Sequence, residues 1–216
     1  VGHCIAHVGV LKALHRAGIS IHSVAGTSGG ALVAGLFCAE RNVADLEEAV
    51  RRIGWKRLAG LTLFASRGLA TSEPIARFVS RMIAPRTRFS EMALPLAVTA
   101  TDLLTGETVI FRDDACPVPE AVRISCTIPL VYAPVVRGGR LLVDGGVSDP
   151  LPVDAAQSLG PDVVVAVSLK HRRSFATFSR SGSRCWTSPP PHSPRWPGTM
   201  PISPLRWTWA LWTSGT

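Results

Sequence analysis

Residues 20–40, SIHSVAGTSGGALVAGLFCAE, run from a short apolar strand-like stretch into an apolar helix-like one with only Gly26-Thr27-Ser28-Gly29-Gly30 between them. No polar linker separates the two, so the strand must turn straight into a helix packed against it, the local unit of an α/β fold. The serine in that turn admits two readings. It is a nucleophile held out on a strained strand-to-helix turn, or the small residues only let a buried strand and a buried helix approach closely.

The rest of the chain up to Lys170 extends the alternation. IAHVGVLKALHRA (5–17) sets Val8, Leu11 and Leu14 at helical spacing opposite Lys12 and Arg16, and Gly18 supplies the stop. A polar, Arg-rich helical stretch is expected from Val43 to about Met82, broken near Gly60 and Gly68. Strands follow at LPLAVTATDL, TGETVIFR, PLVYAPVV and GRLLVDGG, then a helix at VDAAQSLG and a buried strand at PDVVVAVSL, whose unbroken β-branched run suits a parallel sheet. The pattern predicts an α/β fold with a mainly parallel central sheet in one domain, residues 1–170. No stretch reaches the roughly 20 consecutive apolar residues of a membrane span. Five scattered cysteines, with no CxxC pair, read as reduced and mostly buried thiols rather than a disulfide framework or a zinc site.

The net charge of +8 is unevenly spread. Residues 1–170 carry 17 Lys and Arg against all 15 acidic residues, a net of +2, whereas residues 171–216 carry six Arg and no acid. That tail also holds five of the six Trp and seven of the 17 Pro, and shows no hydrophobic period. It is expected to be unstructured or an out-of-frame reading, and the alternative is a basic aromatic segment that docks on a membrane surface. No nucleic-acid-binding motif accompanies the charge, so no nucleic-acid partner is expected.

Gly26-Thr27-Ser28-Gly29-Gly30 matches GxSxG, and a serine there would stand at a helix N-terminus whose unpaired N–H groups, that of Gly29 among them, can stabilise an oxyanion. A second constellation, LLVDGGVSDPLP, sets Asp144 at the end of an apolar strand just before Gly145 and Gly146. Taken alone this is an Asp-Gly turn; beside a serine elbow the carboxylate is also placed to act as general base. The only histidines beyond Asp144 are His171 and His192, at or in the anomalous tail. His7 and His15 lie on the first helix, where a capping or surface role is expected. The chemistry left to the chain is a Ser–Asp dyad.

GTSGG after a strand, DGG much later, an AHVGVLKAL helix before and RISCTIPLVYAPV between resemble the patatin-like phospholipases, most closely the bacterial branch, over nearly all of residues 2–170. The resemblance implies a three-layer α/β/α fold and a serine lipid acyl hydrolase, with Ser28 as nucleophile, Asp144 as base, an acyl-serine intermediate and neither metal nor cofactor. It also implies a first strand and a loop of the type GGGxRG that forms the oxyanion hole. Here only Gly2 remains of those glycines, with His3 where Arg is usual and Cys4 where Gly is usual. The natural N-terminus is therefore expected upstream, the fold incomplete at its N-terminal strand, and the fragment a poor enzyme, since one lost oxyanion donor costs about 10²–10³ in rate. Leu61–Phe64 and Ile128–Val136 are either acyl-site lining or ordinary core.

The implied partner is a lipid ester such as a phospholipid or lysophospholipid, with a cytoplasmic or peripheral membrane location. The competing reading is a non-catalytic regulatory module binding a lipid or anionic surface through Arg51, Arg52, Lys56 and Arg57 or Arg77, Arg81, Arg86 and Arg88.

Overall fold

The computed structural model describes residues 2–40, 46–48, 70–168, 174–179 and 207–212. Helix α1 (Gly2–Arg16) leads into strand β1 (Ile21–Thr27), which turns at Ser28 into α2 (Gly29–Glu40). The apolar run of α2 is buried from Gly30 to Ala39, as a helix without a polar stripe must be. Val8 and Leu11 of α1 are buried and Leu14 packs against the same core. His7 corrects the expectation of a capping or surface residue: it is fully buried, because it precedes Val8 and lies one turn before Leu11 on the inward face.

Helix α3 (Glu73–Ile83) has Pro in its first turn and turns Ile75, Val79 and Ile83 inward at four-residue spacing. Strands β2 (Leu96–Asp102) and β3 (Thr108–Phe111) form a hairpin. Helix α4 (Val118–Ser125) follows, then the hairpin β4 (Val135–Arg137) and β5 (Arg140–Asp144), α5 (Val153–Gln157) and β6 (Val163–Ser168).

With β7 (Ser174–Ser179) and β8 (Trp207–Trp212), all the described strands belong to one sheet in the order β4-β5-β2-β1-β8-β6-β7, with β3 also paired to β2. The parallel pairings are β2 with β1, β1 with β8 and β8 with β6, so the parallel part is the centre of the sheet. Antiparallel hairpins flank it. The α/β expectation holds, with a mixed sheet because short Gly turns such as Gly138-Gly139 return the chain directly alongside itself. Strand alternation separates two faces. Val24, Leu96, Val98, Ala100 and Val167 point into the larger core with α1 to α4, while Ala25, Ala97, Ala166 and Ala210 meet Ala155 and Ala156 of α5.

The tail differs from the sequence expectation in two stretches. Residues 174–179 form β7, antiparallel to β6, and residues 207–212 form β8, between β1 and β6 and parallel to both. SFATFS and WTWALW are rich in Phe, Thr and Trp, types that suit a pleated surface, and β1 and β6 each present an edge whose N–H and C=O groups require partners. The Arg51–Arg57 cluster, the Leu61–Phe64 segment, His171, His192 and Cys185 lie outside the described residues.

Candidate active site

The site follows from strand register. Across residues 98–101, β2 stays paired with β3, so β1 and β5 must share the other edge of β2. On that edge β1 arrives parallel and ends with Thr27 opposite Thr99, while β5 arrives antiparallel and ends with Asp144 opposite Ala100. The two strands thus meet tip to tip. Residues 116 apart in the chain are brought into contact, and Ser28 Oγ donates to Asp144 Oδ2 at 2.6 Å.

Ser28 sits at φ +56°, in the left-handed region that costs a non-glycine residue about 1–2 kcal/mol. The turn is tight enough that a Cβ on Gly26 would stand 2.6 Å from the Ala31 Cα, so only glycine fits there. Both peptide groups of Ser28 are held: its N–H donates to Ser125 Oγ at 2.8 Å, and its carbonyl accepts from the Cys126 thiol at 3.2 Å and from Leu32 N–H at 3.2 Å. Gly29 and Gly30 form the first turn of α2, where backbone N–H groups have no partner within the helix. Gly2 is the first residue of α1.

Asp144 is 6 % exposed and Ser28 8 %. Burial pushes the Asp144 carboxyl up to about 6, against the lowering effects of the Ser28 hydroxyl and the Gly146 N–H. That N–H donates to Oδ1 at 2.8 Å, so each carboxylate oxygen has a donor. A Cβ on Gly145 would stand 2.5 Å from the Thr99 carbonyl oxygen; the DGG corner lies directly on β2. Thr101 Oγ1 donates to the Asp144 carbonyl at 3.0 Å, and the Asp144 N–H to the Thr127 carbonyl at 2.8 Å. The Thr27 and Thr99 hydroxyls meet at 2.6 Å beneath the pair.

A serine hydroxyl hydrogen-bonded directly to a desolvated carboxylate can lose its proton to that carboxylate as the oxygen attacks an electrophile, and the α2 N-terminus can receive the negative charge that develops. Among the described residues, no group of three His, Cys, Asp or Glu is arranged to hold a metal ion, and no helix is long and apolar enough to cross a membrane.

Sequence reasoning assigned no role to Ser125, Cys126 and Thr127, which surround the pair. A signal was present in AVRISCTIPL, where polar residues end an apolar helix and, once buried, must find partners. Arg123, one helical turn before Thr127, is also mostly buried and pairs with Glu120 and Glu73. Of the Ile128–Val136 segment, Val135 is core, while Leu130 and Val136 are exposed.

A family model described as patatin-like phospholipase matches residues 1–157. The chain is 36 % identical over 166 residues to uncharacterized NTE family proteins of Mycobacterium tuberculosis and Mycobacterium bovis, covering 76 % of this chain and 45 % of theirs. It is 31 % identical over 170 residues to lysophospholipase NTE1 of Mycosarcoma maydis, covering 76 % of this chain and 9 % of that one. It is 27 % identical over 192 residues to patatin-like phospholipase domain-containing protein 6 of Homo sapiens, covering 84 % and 14 %. The chain thus spans about half the length of the mycobacterial relatives and far less of the other two. Among solved structures, VipD from Legionella pneumophila aligns with a TM-score of 0.55 over 68 % of this chain and 44 % of that one, at 13 % identity, a likeness of fold.

Proposed function

The chain belongs to the patatin-like phospholipase family, and from that premise we propose that it is a lipid acyl hydrolase working through a Ser28–Asp144 dyad. It cleaves carboxylic esters of phospholipids, lysophospholipids or related lipids. The observation that carries this reading is the 2.6 Å hydrogen bond from Ser28 Oγ to Asp144 Oδ2 at a strained strand-to-helix elbow. With Ser28 on one carboxylate oxygen and the Gly146 N–H on the other, no imidazole stands between serine and acid, which supports a dyad over a triad.

In the first half-reaction Ser28 Oγ attacks the ester carbonyl carbon while its proton passes to Asp144. The tetrahedral oxyanion is stabilised by N–H groups of Gly29 and Gly30 at the start of α2. Collapse of that intermediate breaks the ester C–O bond, the leaving alcohol takes the proton back from Asp144, and an acyl-Ser28 remains. Water then gives a proton to Asp144, attacks the acyl carbon and releases the fatty acid, and Ser28 recovers its proton. A base with a pKa of about 6 suits this cycle, being ionised at neutral pH yet basic enough to accept the proton.

A mere packing joint has no use for a seryl residue at positive φ or for a carboxylate held against burial, features that cluster at functional sites. Association with a lipid surface belongs to the same proposal. Leu130, 90 % exposed, displays an apolar side chain on the segment that leaves the site after Cys126.

The test is fatty-acid release from lysophosphatidylcholine and phosphatidylcholine vesicles, with fluorophosphonate labelling mapped by mass spectrometry. Labelling at Ser28, with label and release both lost in Ser28→Ala, is the expected result. Labelling elsewhere, or release that survives Ser28→Ala, counts against the proposal.

A further inference from the structure

We infer that Ser125, Cys126 and Thr127, where α4 ends, are a positioning clamp that holds both members of the Ser28–Asp144 pair at once; this rests on the reading of the site given above. The three consecutive residues make three separate contacts. Ser125 Oγ accepts the Ser28 N–H at 2.8 Å, the Cys126 thiol donates to the Ser28 carbonyl at 3.2 Å, and the Thr127 carbonyl accepts the Asp144 N–H at 2.8 Å. The first two grip the backbone on either side of the strained Ser28 Cα, and the third sets the height of Asp144 at the tip of β5. Neither β1 nor β5 pairs with the other, so the clamp is a direct link between the two backbones that bypasses β2.

The clamp is itself anchored. Ser125 and Thr127 are fully buried. The Thr127 hydroxyl donates to the Arg123 carbonyl at 2.9 Å and lies 3.0 Å from Ser72 Oγ, which accepts from the Arg123 guanidinium at 3.4 Å. Arg123 in turn binds Glu120 through two of its nitrogens and pairs with Glu73 at 3.1 Å. The end of α4 is thereby tied to the start of α3, and a hydrogen-bonded network buried at Ser72, Arg123, Ser125 and Thr127 helps to fix one geometry. A shift of about 1 Å in a reacting group can cost on the order of 10² in rate, so loss of the clamp should appear in turnover rather than in substrate affinity.

The experiment compares wild type, Ser125→Ala and Ser125→Thr by steady-state kinetics on a soluble fatty-acyl ester, and by amide hydrogen exchange at Ser28 with folding checked by circular dichroism. Ser125→Ala should lower kcat by about 10–100-fold with KM changed less than about threefold, and should speed Ser28 amide exchange by at least about tenfold. Ser125→Thr keeps the hydroxyl and should recover most of the lost turnover. Unchanged kcat and unchanged Ser28 exchange in a folded Ser125→Ala protein would overturn the clamp, as would a loss that merely follows the unfolded fraction. If wild type releases no fatty acid and takes no label at Ser28, the hydrolase reading fails. Exchange at Ser28 then still decides the clamp, faster exchange in Ser125→Ala supporting it and unchanged exchange refuting it.

Discussion

Ser28 and Asp144 occupy matching places, each at the tip of a strand on one edge of β2, yet each is held there against a different cost. At the serine the cost is conformational: φ is +56°, and the turn closes so tightly that a Cβ on Gly26 would collide with the Ala31 backbone. At the aspartate the backbone is ordinary, with φ −50° and ψ 129°, and the cost is electrostatic, a carboxylate raised to about 6 by burial. The parallel, helix-covered half of the site stores strain, and the antiparallel hairpin half stores desolvation. In the proposed hydrolase both costs serve chemistry at the expense of stability.

The largest effect expected is on activity. Asp144→Asn removes the proposed base while keeping the shape, because the amide oxygen can accept the Gly146 N–H and the amide nitrogen can face Ser28. Ester turnover should fall about 10³-fold, within the range for general-base catalysis, measured with saturating soluble ester. Turnover within about threefold of wild type would take Asp144 out of the mechanism.

Next comes the packing that both halves share. Gly145→Ala drives a Cβ to 2.5 Å from the Thr99 carbonyl oxygen, and backbone cannot yield as a side-chain tip can. It should destabilise the fold by about 3 kcal/mol in urea titration, and a loss below about 1 kcal/mol would mean the corner is looser than its geometry.

The two costs separate in stability against pH. Asp144 has a folded pKa of about 6, above its ordinary 3.8, so its contribution to stability is present below 3.8 and lost as pH rises through 6. Asp144→Asn should therefore match wild type near pH 4 and exceed it by on the order of 2–3 kcal/mol at pH 8. Ser28→Gly, which relieves strain instead, should gain only about 0.5–1 kcal/mol at pH 5. That gain should shrink or reverse at pH 8, where the carboxylate has lost its donor. Parallel pH curves for the two variants would erase the distinction between the halves.

Both tips were legible in the sequence because local chemistry writes them there. GTSGG needs glycines to make its turn, and LLVDGG ends an apolar run on a carboxylate. The contact between them was inferred only by combining the two motifs, since no local pattern states that β1 and β5 share an edge; that is a property of long-range register. The clamp was hidden for the same reason: Ser125 and Thr127 look like ordinary helix-end polar residues until burial gives them partners. Nor did composition foresee β7 and β8. A lack of helical or strand period in the tail as a whole concealed two six-residue stretches whose residue types suit a sheet, and His7 shows the converse, a polar residue drawn inside by its neighbours on the helix.

The central claim is that the Asp144 carboxylate is the proton acceptor for Ser28, and its most direct test is the pH dependence of fluorophosphonate labelling at Ser28. The labelling rate of the wild type should rise with pH as one ionisation centred near 6, and Asp144→Asn should label far more slowly with no inflection in that range. An inflection near pH 6 that persists in Asp144→Asn, or a labelling rate that the substitution leaves unchanged, would contradict the claim.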